Sequence, residues 1–187
     1  MQARRRQRSS TRAGLTLLET AVLISIGGIV LASAIPAFLR EVRASKISEA
    51  GTHLADMHRA AAAYYATGAG HSGGRRGCIP EAAGPAPHKP SPDATEIDFS
   101  SDSTPGHATW QAIGFLPKRA VRYRYSLDNP AGSRCAPHAT PVTLSFVAEG
   151  DLDDDGVLSR FERTASNAAD EDELAPVGAL RVQRRVE

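Results

Sequence analysis

Cysteine is nearly missing from this 187-residue chain: Cys78 and Cys135 stand alone, 57 positions apart. With no Cys-x-x-Cys and no Cys/His ligand spacing, a redox motif and a zinc finger are both excluded. Acidic residues are missing from the first 14 positions, which carry Arg4, Arg5, Arg6, Arg8 and Arg12. Charge of either sign is almost missing from residues 15–39, where Glu19 is alone. A concentrated basic stripe is lacking in the remainder. The whole chain has 22 basic and 21 acidic residues, and without the five leader arginines the balance falls to 17 against 21, near −4. Non-specific nucleic-acid binding is therefore not suggested. A catalytic set is lacking too. The six histidines are scattered and read as surface or loop residues, and His53 and His58 do not share a helix face. Residues Gly70-His71-Ser72-Gly73-Gly74 match the GxSxG pattern, but in a glycine-rich loop after a helix rather than at a strand-to-helix elbow. The acidic tail Asn167–Glu173 reads as solvated loop.

What is present begins with a span. As a helix, residues 15–39 would rise about 37 Å at 1.5 Å per residue, enough to cross a hydrocarbon core of about 30 Å with some tilt. The cationic flank predicts a cytoplasmic N-terminus, with everything after Leu39 outside. Glu19 is the anomaly, because an ionised side chain in lipid costs at least about 2.5–3.5 kcal/mol on insertion scales. A secretory signal peptide would use the small-residue site Ala32-Ser33-Ala34. An uncut single-span anchor is the other plain reading.

The run Gly14-Leu15-Thr16-Leu17-Leu18-Glu19, behind an arginine-rich leader, resembles the processing signature of type IV prepilins and pseudopilins. The resemblance covers about the first 40 residues. It implies cleavage after Gly14 by a prepilin peptidase and methylation of the new N-terminus, Leu15, where the family more often has phenylalanine. Glu19 becomes the fifth residue of the mature chain and Pro36 the twenty-second, both familiar pilin positions. The implied roles are assembly roles: Glu19 pairs with the amine of a neighbouring subunit and sets register, and Pro36 removes a helix hydrogen bond. Gly27-Gly28 further weaken the helix, by about 1 kcal/mol each.

Beyond Pro36 the pattern turns amphipathic. Ile47, Ala50, Leu54, Met57, Ala61 and Tyr64 form one stripe, so a helix is expected from about residue 15 to 66. Residues 67–109 read as irregular loop with one short strand near Thr95–Phe99. Alternation marks strands at Ala120–Leu127 and Pro141–Ala148, with a weaker candidate at Leu180–Val186. Trp110, Ile113, Phe115 and Leu116 are expected between helix and sheet. The expected fold is α+β and pilin-like: one long N-terminal helix, its first half membrane-spanning, packed on a small antiparallel sheet. The division is leader 1–14, polymerisation helix 15–39, amphipathic continuation 40–66 and a head over 67–187.

Two features of the head carry chemistry. A Cys78–Cys135 disulfide is expected, since the span places both outside the cytoplasm, where disulfides persist; closing such a loop contributes roughly 4 kcal/mol in the chain-entropy account. Residues 151–162 (DLDDDGVLSRFE) match a twelve-residue EF-hand loop. Its expected calcium ligands are Asp151, Asp153, Asp155, the Val157 carbonyl, Ser159 and Glu162, with Gly156 at the turn. The entering segment reads as strand, so a helix-loop-helix sensor is not expected, and the plain alternative is an acidic solvated turn.

The resemblance implies a structural subunit, not an enzyme. It would polymerise with itself or other pilins after passing from an inner-membrane pool through the assembly machinery to a cell-surface fibre. A type II secretion pseudopilin in a periplasmic pseudopilus is the alternative within the family. A single-span, calcium-binding domain that never polymerises is the alternative outside it.

Overall fold

A computed structural model describes residues 15–68, 77–135, 140–168 and 173–184. The first element, α1, is the helix Leu17–Thr67, with Pro36 inside it. The chain separates into two compact units, Met1–Val42 and Arg43–Glu187, and α1 contributes to both.

In the first unit α1 is apolar all round. Leu17–Leu39 has a mean hydropathy of 2.3 and none of it is buried, so it is long and apolar enough to cross a membrane. Leu17, Leu18, Ile24, Ile29 and Phe38 are all more than two-thirds exposed. Apolar surface on this scale marks a contact with something other than water. The few hydroxyls are satisfied within the helix, as lipid would require. Ser25 Oγ donates to the Ala21 carbonyl at 2.8 Å and Ser33 Oγ to the Val30 carbonyl at 2.9 Å.

In the second unit the remainder of α1 covers a five-stranded antiparallel meander. The strands are β1 (Ala83–Ala86), β2 (Arg124–Asp128), β3 (Thr143–Gly150), β4 (Ser159–Ser166) and β5 (Ala175–Gln183), in sheet order β1-β2-β3-β4-β5. A short helix, α2 (His107–Ile113), lies between β1 and β2 in sequence. The α1 stripe enters the core as anticipated: Ala50, Leu54, Met57 and Ala61 are fully buried, Tyr64 nearly so, and Ile47 packs at the margin. Inward residues of the strands meet it, among them Tyr125 and Leu127 of β2, Leu144, Phe146 and Ala148 of β3, and Phe161 and Ala165 of β4. Phe99, Trp110, Phe115 and Tyr125 pack with ring centroids 5.5–6.5 Å apart. The Trp110 indole donates to the Pro105 carbonyl at 3.0 Å.

Polar groups pin the helix at two places. Glu49 accepts from the Arg122 amide at 2.7 Å, the Arg122 guanidinium at 3.1 Å and the Tyr125 hydroxyl at 3.3 Å. Toward the other end, Asn167 donates to the Tyr65 hydroxyl at 3.1 Å and accepts from the Val142 amide at 2.6 Å.

Several boundaries differ from the sequence reading. At Thr95–Phe99 there is only an isolated bridge, Thr95 to Val121, while the short strand of that region is β1, a Gly-Pro stretch without β propensity. Pairing in β2 starts at Arg124 rather than Ala120. β5 begins five residues before the expected Leu180, and β4 takes up the last third of the expected calcium loop, residues 159–162. Both histidines of α1 are packed rather than free: His53 lies against Tyr125 at 5.3 Å between centroids, and the His58 Nε2 is 3.1 Å from the Leu174 carbonyl oxygen.

The Glu49 site yields a direct test. Glu49→Ala removes the acceptor of the Arg122 amide and the Tyr125 hydroxyl and leaves the Arg122 guanidinium with only the Pro92 carbonyl. It lowers unfolding free energy by about 2–3 kcal/mol, read from urea denaturation. Equal midpoints for variant and wild type would show that these bonds do not hold the helix down.

Candidate functional site

The first site is the start of α1. Thr16 precedes the helix as its N-cap, and Glu19 is the third helical residue, the spacing of a capping box. The Glu19 carboxylate accepts from the Thr16 amide and from the Thr16 hydroxyl, each at 2.8 Å, and the Glu19 amide donates to the Thr16 hydroxyl at 3.3 Å. Glu19 thus has local donors, not only the distant partner that the sequence reading supplied. Its negative charge also sits where the helix dipole favours an anion. The Thr-x-x-Glu pattern could have been read from the sequence. Leu15 is exposed, and Pro36 lies within α1. Gly14 lies outside the described residues, as do residues 70–74.

The second site is the hairpin between β3 and β4. Gly150 pairs with Ser159, so the strands close around a loop of residues 151–158. Asp151, nearly buried, accepts from the Asp155 amide at 3.2 Å and the Gly156 amide at 3.0 Å. Asp155 in turn accepts from the Val157 amide at 2.7 Å. These bonds curl the loop until one carboxylate oxygen each from Asp151, Asp153 and Asp155 lies within 4.8 Å of the others, a group that could hold a metal ion. Gly156 takes the left-handed conformation (φ 85°), and so does Asp154 (φ 61°). Aspartate is among the few side chains that adopt it readily.

The other expected ligands part from this cluster. Ser159 turns its hydroxyl to the Gly150 carbonyl at 3.0 Å. Glu162 sits three residues along β4 opposite Val147, about 10 Å of strand away from Ser159, and its carboxylate is 3.9 Å from the Arg160 Nε. Val157 remains in the loop. Strand pairing therefore overrides the twelve-residue frame: once the hairpin closes at Ser159, positions 9 and 12 belong to the ladder.

Two nearby arginines are committed elsewhere, while Lys89 lines a pocket with Asp151, Asp154 and Asp155. Arg124 reaches Glu149 at 2.7 Å and Arg160 reaches it at 2.8 Å. Burial works against the Glu149 carboxylate, but bonds from the two guanidinium groups outweigh it and hold its pKa below the ordinary value. Among the described residues no ion pair reaches the four aspartates of the loop.

Cys78 and Cys135 are joined as a disulfide, tying the segment before β1 to the segment after β2. The pair is reinforced by the bridge between Ile79 and Arg134 and by the Asn129 side chain, which donates to the Pro80 carbonyl at 2.6 Å.

A groove of about 620 Å³ lies between α1 and the segment after α2. Phe115 and Leu116 line it with apolar surface, and Asp56, Arg59, Lys118 and Arg119 line it with charge that is on balance basic. His53 lines it as well. Burial lowers the His53 pKa, against the pull of Glu49 and Asp56.

Comparison with protein-family models, with curated proteins and with solved structures finds no match for this chain.

The His53 shift has a definite sign. An unfolded histidine takes up its proton near pH 6.5, while the folded one resists until lower pH, so folding stability falls as pH drops below about 6.5. Urea midpoints measured between about pH 7 and 5 should decline for wild type and flatten for His53→Leu. A decline unchanged in the variant would move the effect to another group.

Proposed function

We propose that this protein is a type IV pilin-like structural subunit, inserted in the membrane as a precursor, cut between Gly14 and Leu15, and assembled into a fibre through its first helix. One observation carries the reading. A single helix, α1, is uniformly apolar and unburied over Leu17–Leu39, bears one carboxylate near its start, and then becomes the striped helix that covers an antiparallel sheet. In water that exposed surface is costly, and lipid or neighbouring copies of the same helix would cover it. The leader's arginines favour a cytoplasmic start, and the disulfide suits an oxidising compartment for the head. In the assembled state Glu19 would exchange its Thr16 donors for the amine of an adjacent Leu15, replacing a local hydrogen-bonded anion with a neutral pair.

The capping box favours a second reading. A Glu19 already satisfied by Thr16 serves equally well in a single-span anchor that never polymerises. Intact mass and N-terminal sequencing of protein from its native membrane separate the two. An N-methylated Leu15 terminus is expected. Retention of Met1, or a terminus at Ile35 after the Ala32-Ser33-Ala34 site, would overturn the pilin reading. Within the pilin reading, deletion distinguishes a surface pilus, whose fibres vanish, from a pseudopilus, whose loss stops secretion.

The acidic loop adds calcium to the proposal, with Asp151, Asp153 and Asp155 as its side-chain ligands and water completing the shell. The ion's task there is to neutralise crowded carboxylates and stiffen the hairpin. Calcium at about a hundred times its dissociation constant would stabilise the folded protein by about 2.7 kcal/mol, seen as a higher melting temperature. Asp153→Asn should abolish most of that gain. A melting temperature indifferent to calcium and to EDTA would leave the loop as a solvated turn.

A further inference from the structure

The groove beside α1 has a basic edge and the hairpin an acidic tip. Among the described residues no ion pair closes Lys118, Arg119 or the hairpin aspartates, although Glu96 and Asp98 line a pocket with the two cations and Lys89 lines one with Asp154 and Asp155. Lys118 and Arg119 stand consecutively on the groove's rim, and neither forms an ion pair among the described residues. Arg59, the third rim cation, is tied to Asp56 at 2.7 Å. The groove contains Leu116, which is 46% exposed; beyond residues 15–39 only Val42, Val177 and Val182 are comparably large, apolar and exposed among the described residues. An exposed leucine flanked by unpaired cations is the composition of a contact surface rather than of a solvated loop.

The hairpin supplies the complement. Asp153 and Asp154 are exposed, accept no hydrogen bond from the described residues, and project where β3 and β4 end. Asp154 also stands outside the three-carboxylate cluster, so it keeps its charge for an external partner whether or not a cation sits in that cluster.

We infer that the hairpin tip of one copy docks in the Lys118–Arg119 groove of a second copy. Donor and acceptor are different patches of the same chain, so the contact is heterologous: each copy offers a tip and accepts one, and the contact repeats instead of closing on itself. This rests on the polymer reading above, to which it adds a head-to-head contact besides the helix contacts. Opposite patches would orient incoming subunits and discriminate among registers, since like charges placed face to face cost several kcal/mol.

The test uses full-length protein in native membranes, made as a mixture of nitrogen-14 and nitrogen-15 chains and treated with a zero-length carbodiimide that joins lysine to carboxylate. Mass spectrometry should find mixed-isotope peptides linking Lys118 to Asp153 or Asp154. Arg119→Glu, which keeps the reactive Lys118 amine, should reduce links between the two segments by at least about tenfold, as should Asp154→Lys, which spares the three clustered carboxylates, since each 1.4 kcal/mol is a factor of ten. The two changes combined restore opposite charges and should bring cross-linking back. Unchanged melting temperatures show that the variants fold, because both patches lie on the surface.

Two results overturn the inference and are distinguishable. Inter-copy links along residues 40–66 without any between the groove and the tip would leave the fibre standing and remove this contact. Monomers alone, with no inter-copy link anywhere, would remove the contact together with the polymer reading.

Discussion

The stripe of α1 that descends onto the sheet is the constraint on which the head depends. Ala50, Leu54, Met57 and Ala61 bury completely against β2, β3 and β4, and the hydrophobic effect that drives this is not directional. Direction comes from Glu49 and from Asn167 with Tyr65. Glu49 gathers a backbone amide, a guanidinium and a phenol, while Asn167 joins Tyr65 to the start of β3. Sliding the helix by one turn would keep much of the apolar contact but orphan these groups, and buried orphans are what folded proteins avoid. Glycine matters where β3 ends. A Cβ on Gly150 would collide with the ring of Tyr123, which crosses that position toward Phe161.

The same helix meets a different requirement at its start. Four N–H groups at a helix N-terminus have no partner within the helix, and in lipid no water replaces one. The Thr16–Glu19 box supplies two acceptors there and places negative charge at the positive end of the dipole. A carboxylate that looks unaffordable in a linear reading of the span is thereby partly accommodated before any other subunit arrives. Assembly, on the proposed reading, would have to compete with this local arrangement, which makes Glu19 a residue with two alternative sets of partners.

Much of the head was legible from residue order. The stripe from Ile47 to Tyr64 was read by its three- and four-residue steps, and β2 and β3 by alternation through Tyr123, Tyr125, Leu144 and Phe146. β1 was not legible, because Ala83-Gly84-Pro85-Ala86 has no strand propensity and joins the sheet only through its pairing with Leu127 and Tyr125. Neither was β4, whose residues matched a calcium-loop template more strongly than a strand. Three of the six expected ligands come together because Asp151 curls the loop through local amide bonds. Ser159 and Glu162 do not, because a ladder bond to β3 is available to them and takes precedence.

By itself the sequence determined the two characters of α1, the α+β class, the uncompensated aspartates and the availability of just two cysteines. These follow from periodicity, charge and composition, which need no knowledge of neighbours. Tertiary structure alone decided which carboxylates converge, where the hairpin closes, and that Lys118 and Arg119 line a groove with Leu116 and α1. Those are contacts between residues far apart in the chain or committed to competing partners. Their outcome depends on which hydrogen bonds and which apolar surfaces are satisfied together, a choice that only the folded chain makes.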